Sequence, residues 1–346
     1  MNAGQHTRQE IISQPRVWAD ALGVFEAKES TFSNLIADAE PDHVLVTGCG
    51  STYYLALTAA RLLRGAGMDA QAHPASELLL FPESIYLKGR KYALITVSRS
   101  GATTETLRAA AAFKSRIGGP VVTVTCDSRS PLALEADLAF AIDSAGEKSV
   151  AQTRSFSGMC LVLQQMAAAL VGHDRASSAR LPAQCQHLLD GFGGLAETLG
   201  ADQGIERFFF LGSDALYGIA CEAMLKMKEM SLSYSEAFHT LEFRHGPMSM
   251  AAENALVVGL ISAESARQEL QVLREMRRMG AGTLSIGSLA TDSPRHIALP
   301  TDLTIWNSPV LYLPVLQLLA YHRALHNGQN PDRPQNLSAV VSLEDL

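Results

Sequence analysis

Apolar and polar positions along this chain recur in a rhythm of short buried runs and longer helical stretches. Thr7 to Ala27 carries Ile11, Ile12, Trp18, Leu22 and Phe25 at helical spacing, with Pro15 as an early interruption. Val44-Leu45-Val46 then reads as a strand ending at Gly48-Cys49-Gly50, and Tyr53 to Leu63 as a helix. Ala93 to Val97 is a second buried strand; it ends at Ser98-Arg99-Ser100-Gly101, before a helix from Thr104 to Phe113. Strands at Val121 to Val124 and Leu138 to Ile142 follow, and a helix from about Ala151 to Leu170 closes this half.

The rhythm restarts after the polar stretch Asp174 to Pro182. A helix over Cys185 to Leu199 leads to the strand Phe208 to Leu211, which ends at Gly212-Ser213-Asp214, and a helix runs from Tyr217 to Ser231. Strands at Ala255 to Ile261, Thr283 to Ile286 and Leu303 to Trp306 alternate with helices Ser265 to Met279 and Val310 to Leu325. Gly48 and Gly212 fall at corresponding places, each with a tyrosine five residues on, Tyr53 and Tyr217. The repeat is about 160 residues long. Continuously apolar strands between helices predict α/β architecture: two doubly wound domains, each a mostly parallel sheet flanked by helices. The expected organisation is a helical lead-in over 1–40, a first domain over 41–174 and a second over 183–346.

Composition narrows the function. With 28 basic and 35 acidic residues the net charge is −7, which argues against a nucleic-acid partner. No apolar run approaches the ~18 residues of a membrane span. The polar opening Met1 to His6 has no signal-peptide core, and five cysteines without a CxxC pair fit small buried residues in a reducing cytoplasm. The ten histidines show no metal-binding spacing, so neither a metal nor a cofactor is expected.

Two strand-to-helix turns are rich in hydroxyls: Gly50-Ser51-Thr52 and Ser98-Arg99-Ser100-Gly101-Ala102-Thr103. Ligands of open parallel sheets bind outside the carboxyl ends of the strands, where helix N-termini suit an anion. Serine and threonine are also ordinary helix caps, so a single such turn would carry little. Two in one sheet favour a phosphate. Neither turn is a dinucleotide fingerprint or a nucleotide-hydrolysing P-loop.

The turn Ser98-Arg99-Ser100-Gly101-x-Thr103 resembles the phosphate loop of sugar-isomerase (SIS) domains. The resemblance continues through Glu10-Ile11-x-x-Gln14-Pro15, Glu147 to Thr153, Glu222-Ala223-x-x-Lys226-x-Lys228-Glu229, Arg244-His245-Gly246-Pro247 and Pro334-Gln335-Asn336-Leu337. As a whole the chain is similar to the isomerase half of glucosamine-6-phosphate synthase and to shorter amino-sugar-phosphate deaminases and ketose/aldose isomerases.

Glu222, Lys226 and Glu229 share one helical face by spacing alone, a pattern that usually marks a solvated, salt-bridged stripe. Aldose–ketose interconversion needs a carboxylate to move a proton between C1 and C2, a cation to balance developing charge, and a group to open the ring. The resemblance implies Glu229, Lys226 and His245 for these roles. It also implies Ser51, Thr52, Ser98, Arg99, Ser100 and Thr103 around the phosphate, with Glu222 and the backbone of Val150 and Ala151 near the sugar. The family more often has glutamine at Arg99; arginine there could add charge for phosphate or point to solvent. It further implies a homodimer, since the histidine of the synthase acts across subunits.

One departure matters. The synthase opens its ketose through a lysine in a C-terminal Arg-Asn-Leu-Ala-Lys segment, where this chain reads Gln335-Asn336-Leu337-Ser338-Ala339, and no lysine follows Lys228. A glutaminase domain and a cysteine at position 2 are also missing from the expected architecture. Deamination of an amino-sugar 6-phosphate leads the readings that remain. Ketose/aldose isomerisation, cleavage of a fructose-amine 6-phosphate and a non-catalytic phosphosugar sensor stay open beside it.

Overall fold

A computed structural model of the chain describes residues 3–337. Residues Ser338 and Ala339 of the C-terminal stretch, and the end of the expected second domain, lie outside the described residues. The chain divides into two compact units. One comprises Ser13–Glu147 with Arg154–Pro182; the other comprises residues 3–12, Lys148–Thr153 and Ala183–Leu337.

Three helices precede the first sheet: α1 (Gln5–Ile12), α2 (Gln14–Glu26) and α3 (Glu29–Ala39). Pro15 sits in the first turn of α2, where its missing N–H costs nothing, so the expected interruption is a helix boundary. The first sheet holds β1 (His43–Gly48), β2 (Ala70–Pro74), β3 (Tyr92–Ser98), β4 (Val121–Thr125) and β5 (Leu138–Ala141), all parallel in the order β2-β1-β3-β4-β5. Helices α4 (Ser51–Gly65), α5 (Ala75–Leu80), α6 (Pro82–Ile85), α7 (Thr104–Arg116) and α8 (Pro131–Glu135) connect these strands. α9 (Arg154–Leu170) packs with α2, α3 and α4, and the short α10 (Arg175–Ser178) follows. Every residue of β3 and β4 is buried, as a central strand covered on both faces requires. Leu45, Leu94, Phe113, Val121 and Leu132 fill one side of the sheet. Elsewhere in the unit Phe25 stacks on Phe140 at 5.6 Å, and the Trp18 indole donates to Ser157 Oγ at 2.9 Å.

The second unit repeats this plan after α11 (Leu181–Ala201). Strands β6 (Arg207–Gly212), β7 (Tyr234–His239), β8 (Ala255–Leu260), β9 (Gly282–Gly287) and β10 (His296–Ala298) lie parallel in the order β10-β9-β8-β6-β7. Read from the other edge, this is the order of the first sheet. Helices α12 (Leu216–Ser231), α13 (Ala266–Arg278) and α14 (Leu313–His326) complete it. Phe209, Leu211, Val257, Val272, Leu273 and Met276 form a core beneath α13, while α12 packs on α14. The structure therefore has the expected doubly wound α/β halves.

Three expectations change in detail. β2 and β7, unmarked in the sequence, each form one edge of a sheet, where half-exposed polar residues hide the strand pattern. The last strand is His296–Ala298 rather than Leu303 to Trp306; the latter is a series of turns in which the Thr304 amide donates to the Asn307 side chain at 2.9 Å. The helix expected from Ala151 begins at Arg154, because Val150 to Thr153 is drawn into other bonds described below. Among the described residues, no helix is long and apolar enough to cross a membrane. Four cysteines are buried and Cys49 is half-buried, and all five are free.

Candidate functional site

In each sheet the chain leaves the first central strand toward one edge and returns on the other side, so the carboxyl ends of β1 and β3, and of β6 and β8, flank a topological switch point. Both sheets build the first of these ends with a glycine. A Cβ on Gly48 would stand 2.8 Å from the Thr52 carbonyl oxygen, and one on Gly212 would stand 2.4 Å from that of Leu216. The helix that follows can therefore start tight against the strand in both halves.

In the first sheet, Ser98 is buried and its hydroxyl accepts the Gly101 amide at 3.1 Å. It also lies 3.4 Å from the Thr103 hydroxyl, and Ser100 Oγ accepts from the Ala102 amide at 3.2 Å. Gly101 has φ +60° and lies where a Cβ would fall 2.0 Å from Ser130 Oγ, so only glycine allows this turn. Thr103 occupies the N-cap of α7, yet its side chain makes no capping bond. Ser130, by contrast, caps α8 by accepting from Ala133 N–H. Thr103 is therefore not spent on the ordinary structural job of a hydroxyl at a helix start. Thr52 is: its hydroxyl accepts from Cys49 N–H and donates to Cys49 carbonyl, both at 2.9 Å, closing its own turn. Ser51 is buried at the first position of α4.

Arg99 does not point to solvent, its side chain being 13% exposed. Its guanidinium lies 3.6 Å from a carboxylate oxygen of Glu147, whose side chain is fully buried. Glu147 in turn accepts from the amide and the hydroxyl of Ser155 at the start of α9.

The matching turn of the second sheet differs. The Ser262 amide donates to Glu269 at 2.7 Å, and the hydroxyls of Ser262 and Ser265 donate to the same carboxylate. Glu269 is buried within the first turns of α13. Here a side chain of the protein occupies the donors that an anion would use.

On α12 the stripe that spacing alone would leave solvated is buried. Glu222 is 0% and Lys226 1% exposed, and Glu229 retains 20%. Lys226 Nζ lies 3.4 Å from Glu222 and is ion-paired and hydrogen-bonded with Glu229. Burial alone would push the ammonium pKa down; the two carboxylates outweigh it, and the net shift is upward from the ordinary lysine value. In the first turn of this helix the Tyr217 ring stacks on His239 at 3.8 Å, and just ahead of it Ser213 donates to Thr240 at 3.1 Å. Both contacts lie at the ends of β6 and β7 and escape the sequence, because β7 itself does.

His245 is exposed on the loop between β7 and β8. It follows the turn Glu242–Arg244, which Arg244 ties to Glu275 of α13 through two bonds of 2.7 and 2.8 Å. Val150 and Ala151 lie in a short stretch that also carries Ser149 and Thr153. Val150 N–H donates to the Asp332 carbonyl at 3.3 Å, and the Thr153 carbonyl accepts from Gln317 at 3.0 Å. The structure thus joins Glu222, Lys226 and Glu229 in one cluster and gathers Ser98, Ser100 and Thr103 in one turn. It leaves His245 on an exposed loop. Among the described residues, no group of three or more His, Cys, Asp or Glu side chains is arranged to hold a metal ion.

The chain is 29% identical over 97% of its length to glutamine–fructose-6-phosphate aminotransferase (isomerizing) of Pyrobaculum aerophilum, and 30% identical over 98% to that of Vibrio cholerae. It spans 57% of the length of each. Among solved structures, glucosamine-6-phosphate deaminase of Thermotoga maritima superposes with a TM-score of 0.80 at 28% identity, over 98% of this chain and 100% of that one. Tagatose-6-phosphate ketose/aldose isomerase of Escherichia coli shares the fold with a TM-score of 0.86 at 24% identity, over 97% of each chain. The SIS domain model matches twice, at residues 36–169 and 204–326, one match for each sheet, and the chain belongs to the SIS domain family.

Proposed function

We propose that this protein converts an amino-sugar 6-phosphate, of the glucosamine or galactosamine type, to a ketose 6-phosphate and ammonia. The observation that carries the reading is the cluster on α12: a buried lysine held by a buried carboxylate, with a second carboxylate, Glu229, still partly exposed beside it. Such a group can exchange a proton with a ligand while its neighbour supplies fixed positive charge. In this reading His245 opens the ring. Glu229 takes the proton from C2 of the open aldehyde and returns it to C1, while a proton passes from the amine to O1, leaving a hydroxymethyl C1 and a ketimine at C2. Water adds to that carbon, the C–N bond breaks, and ammonia leaves as the ketone forms. Ser98, Ser100 and Thr103 hold the phosphate, with Ser51 beside them, and the backbone of Val150 and Ala151 lines the sugar. Glu222 acts by fixing Lys226.

Retention of the glutamate, lysine and histidine, with Ala339 where the synthase has lysine, supports a reaction that needs no enzyme-bound Schiff base. The whole-length likeness to a glucosamine-6-phosphate deaminase points the same way. The test is ammonia release from glucosamine 6-phosphate and galactosamine 6-phosphate, with ketose phosphate followed in parallel. Stoichiometric ammonia and ketose from either sugar is the expected result, and Glu229→Gln should lower kcat by about 10²–10⁴-fold while phosphosugar binding persists. Wild-type turnover in that variant would remove Glu229 from the mechanism. Aldose–ketose exchange without ammonia would make the protein an isomerase, and binding without turnover a sensor. The reading includes a homodimer, which sedimentation of the active species would register.

A further inference from the structure

Glu10 is a carboxylate with no place in the chemistry above. It lies near the end of α1 and is 3% exposed. A buried carboxylate is costly unless its oxygens are well supplied with donors, and as an acceptor-only group it must take them from elsewhere in the fold. Glu10 takes them from a segment 138 residues away. One oxygen accepts the amides of Lys148 at 2.6 Å and Ser149 at 3.3 Å, and the other accepts the Ser149 hydroxyl. Bonds to two successive amides fix the backbone between them. The next amide, of Val150, donates to the carbonyl of Asp332. The Asp332 carboxylate returns to α1, where it accepts the amides of His6 at 3.2 Å and Thr7 at 2.7 Å and the Thr7 hydroxyl at 2.8 Å. The bonds close a circuit from α1 through Glu10, Lys148 to Val150, and Asp332 back to α1.

We infer that Glu10 is a positioning residue that presents the Val150–Ala151 backbone to the sugar, acting through hydrogen-bond geometry and not through its charge; the inference rests on the reading of Val150 and Ala151 given above. Without Glu10, two consecutive amides lose their buried acceptor and the stretch ahead of Val150 loses its fixed point. A ligand would then have to pay for ordering it. The phosphate turn belongs to the other unit and its hydrogen bonds do not involve this circuit.

Glutamine at this position separates geometry from charge. Its carbonyl oxygen can accept both amides, and its NH₂ can donate to the Ser149 hydroxyl, which accepts as readily as it donates. Calorimetric titration of wild-type Glu10, Glu10→Ala and Glu10→Gln, each on a Glu229→Gln background so that the sugar phosphate is bound without appreciable turnover, with inorganic phosphate and with glucosamine 6-phosphate tests the inference. Glu10→Ala should bind the sugar phosphate at least about tenfold more weakly and inorganic phosphate within about twofold of the protein with wild-type Glu10, and Glu10→Gln should recover most of the loss. Unchanged sugar-phosphate binding in Glu10→Ala overturns the inference, as does an equal loss of both ligands, which would mark a general structural role. A glutamine variant as weak as the alanine variant shows that charge is needed and overturns it too. Failure of the underlying reading is visible separately, as the protein with wild-type Glu10 binding the sugar phosphate no better than phosphate.

Discussion

Replacing Lys226 by methionine keeps most of the side-chain stem and removes the ammonium from between two carboxylates. At an effective dielectric of about 20, unit charges 3.4 Å apart attract by about 5 kcal/mol, the scale of the Lys226–Glu222 interaction. The ion pair was formed at the cost of desolvating both groups, so its net worth is smaller. Removing only one partner is different: Glu222, with no solvent exposure, would face its burial without the Lys226 ammonium. The expected destabilisation of Lys226→Met is about 3–5 kcal/mol. Glu222→Gln relieves the stranded charge, so the double variant Glu222→Gln/Lys226→Met should be more stable than Lys226→Met alone, with a coupling of at least about 2 kcal/mol in a double-mutant cycle. Urea denaturation of the four proteins gives these differences. The sign of the pH dependence also follows. The lysine pKa is raised in the folded state, so its contribution is complete at neutral pH, up to the unfolded-state value, and is lost only as pH climbs through the raised one. Wild type should therefore keep its margin over Lys226→Met from pH 7 to 9 and lose it only in stronger alkali. Additive single effects, within about 0.5 kcal/mol, would refute the argument that this cluster acts as one buried unit.

Two further outcomes concern the turn Ser98–Thr103, the proposed phosphate site. Arg99→Gln should leave affinity for inorganic phosphate within about twofold while lowering stability by about 1–3 kcal/mol, because Arg99 is engaged with buried Glu147; a tenfold loss of phosphate affinity in titration would show the arginine serving the anion instead. Gly101→Ala should lower the melting temperature and weaken phosphate binding, since the added Cβ meets Ser130 Oγ at 2.0 Å and the residue must hold φ +60°, itself costing about 1–2 kcal/mol. Adding Ser130→Gly should recover part of that loss, and no recovery would mean the clash is not its source.

The sequence reveals what is encoded locally. β1, β3, β6 and β8 stand out because they are buried on both faces, and Gly48, Gly101 and Gly212 mark turns that tolerate no other residue. The spacing of Glu222, Lys226 and Glu229 puts them on one face of a helix, but spacing carries no information on what covers that face, so a solvated stripe reads the same as the buried cluster. Arg99 is a similar case: its partner lies 48 positions on, beyond the reach of any local pattern. Glu10 is identifiable as part of a motif, yet its partners at Lys148 and Ser149 and the tie through Asp332 emerge only when distant segments meet. β2 and β7 escape because an edge strand such as Ala70–Pro74 or Tyr234–His239 need not be apolar.

Glu269 gives the duplicated fold its asymmetry. Two copies of one architecture would ordinarily offer two equivalent receptors. Here a carboxylate supplied by the chain acts as a permanent resident in one of them, satisfying its donors and stiffening the start of α13. In the proposed function the other copy keeps its hydroxyl-lined turn for a guest. An intramolecular occupant cannot be diluted, competed away at ordinary concentrations or exchanged, so in the proposed reading this turn of the second sheet takes no phosphate, and its unit contributes α12 and its buried charges instead. In that reading a symmetric plan becomes one turn for phosphate and one helix for the chemistry.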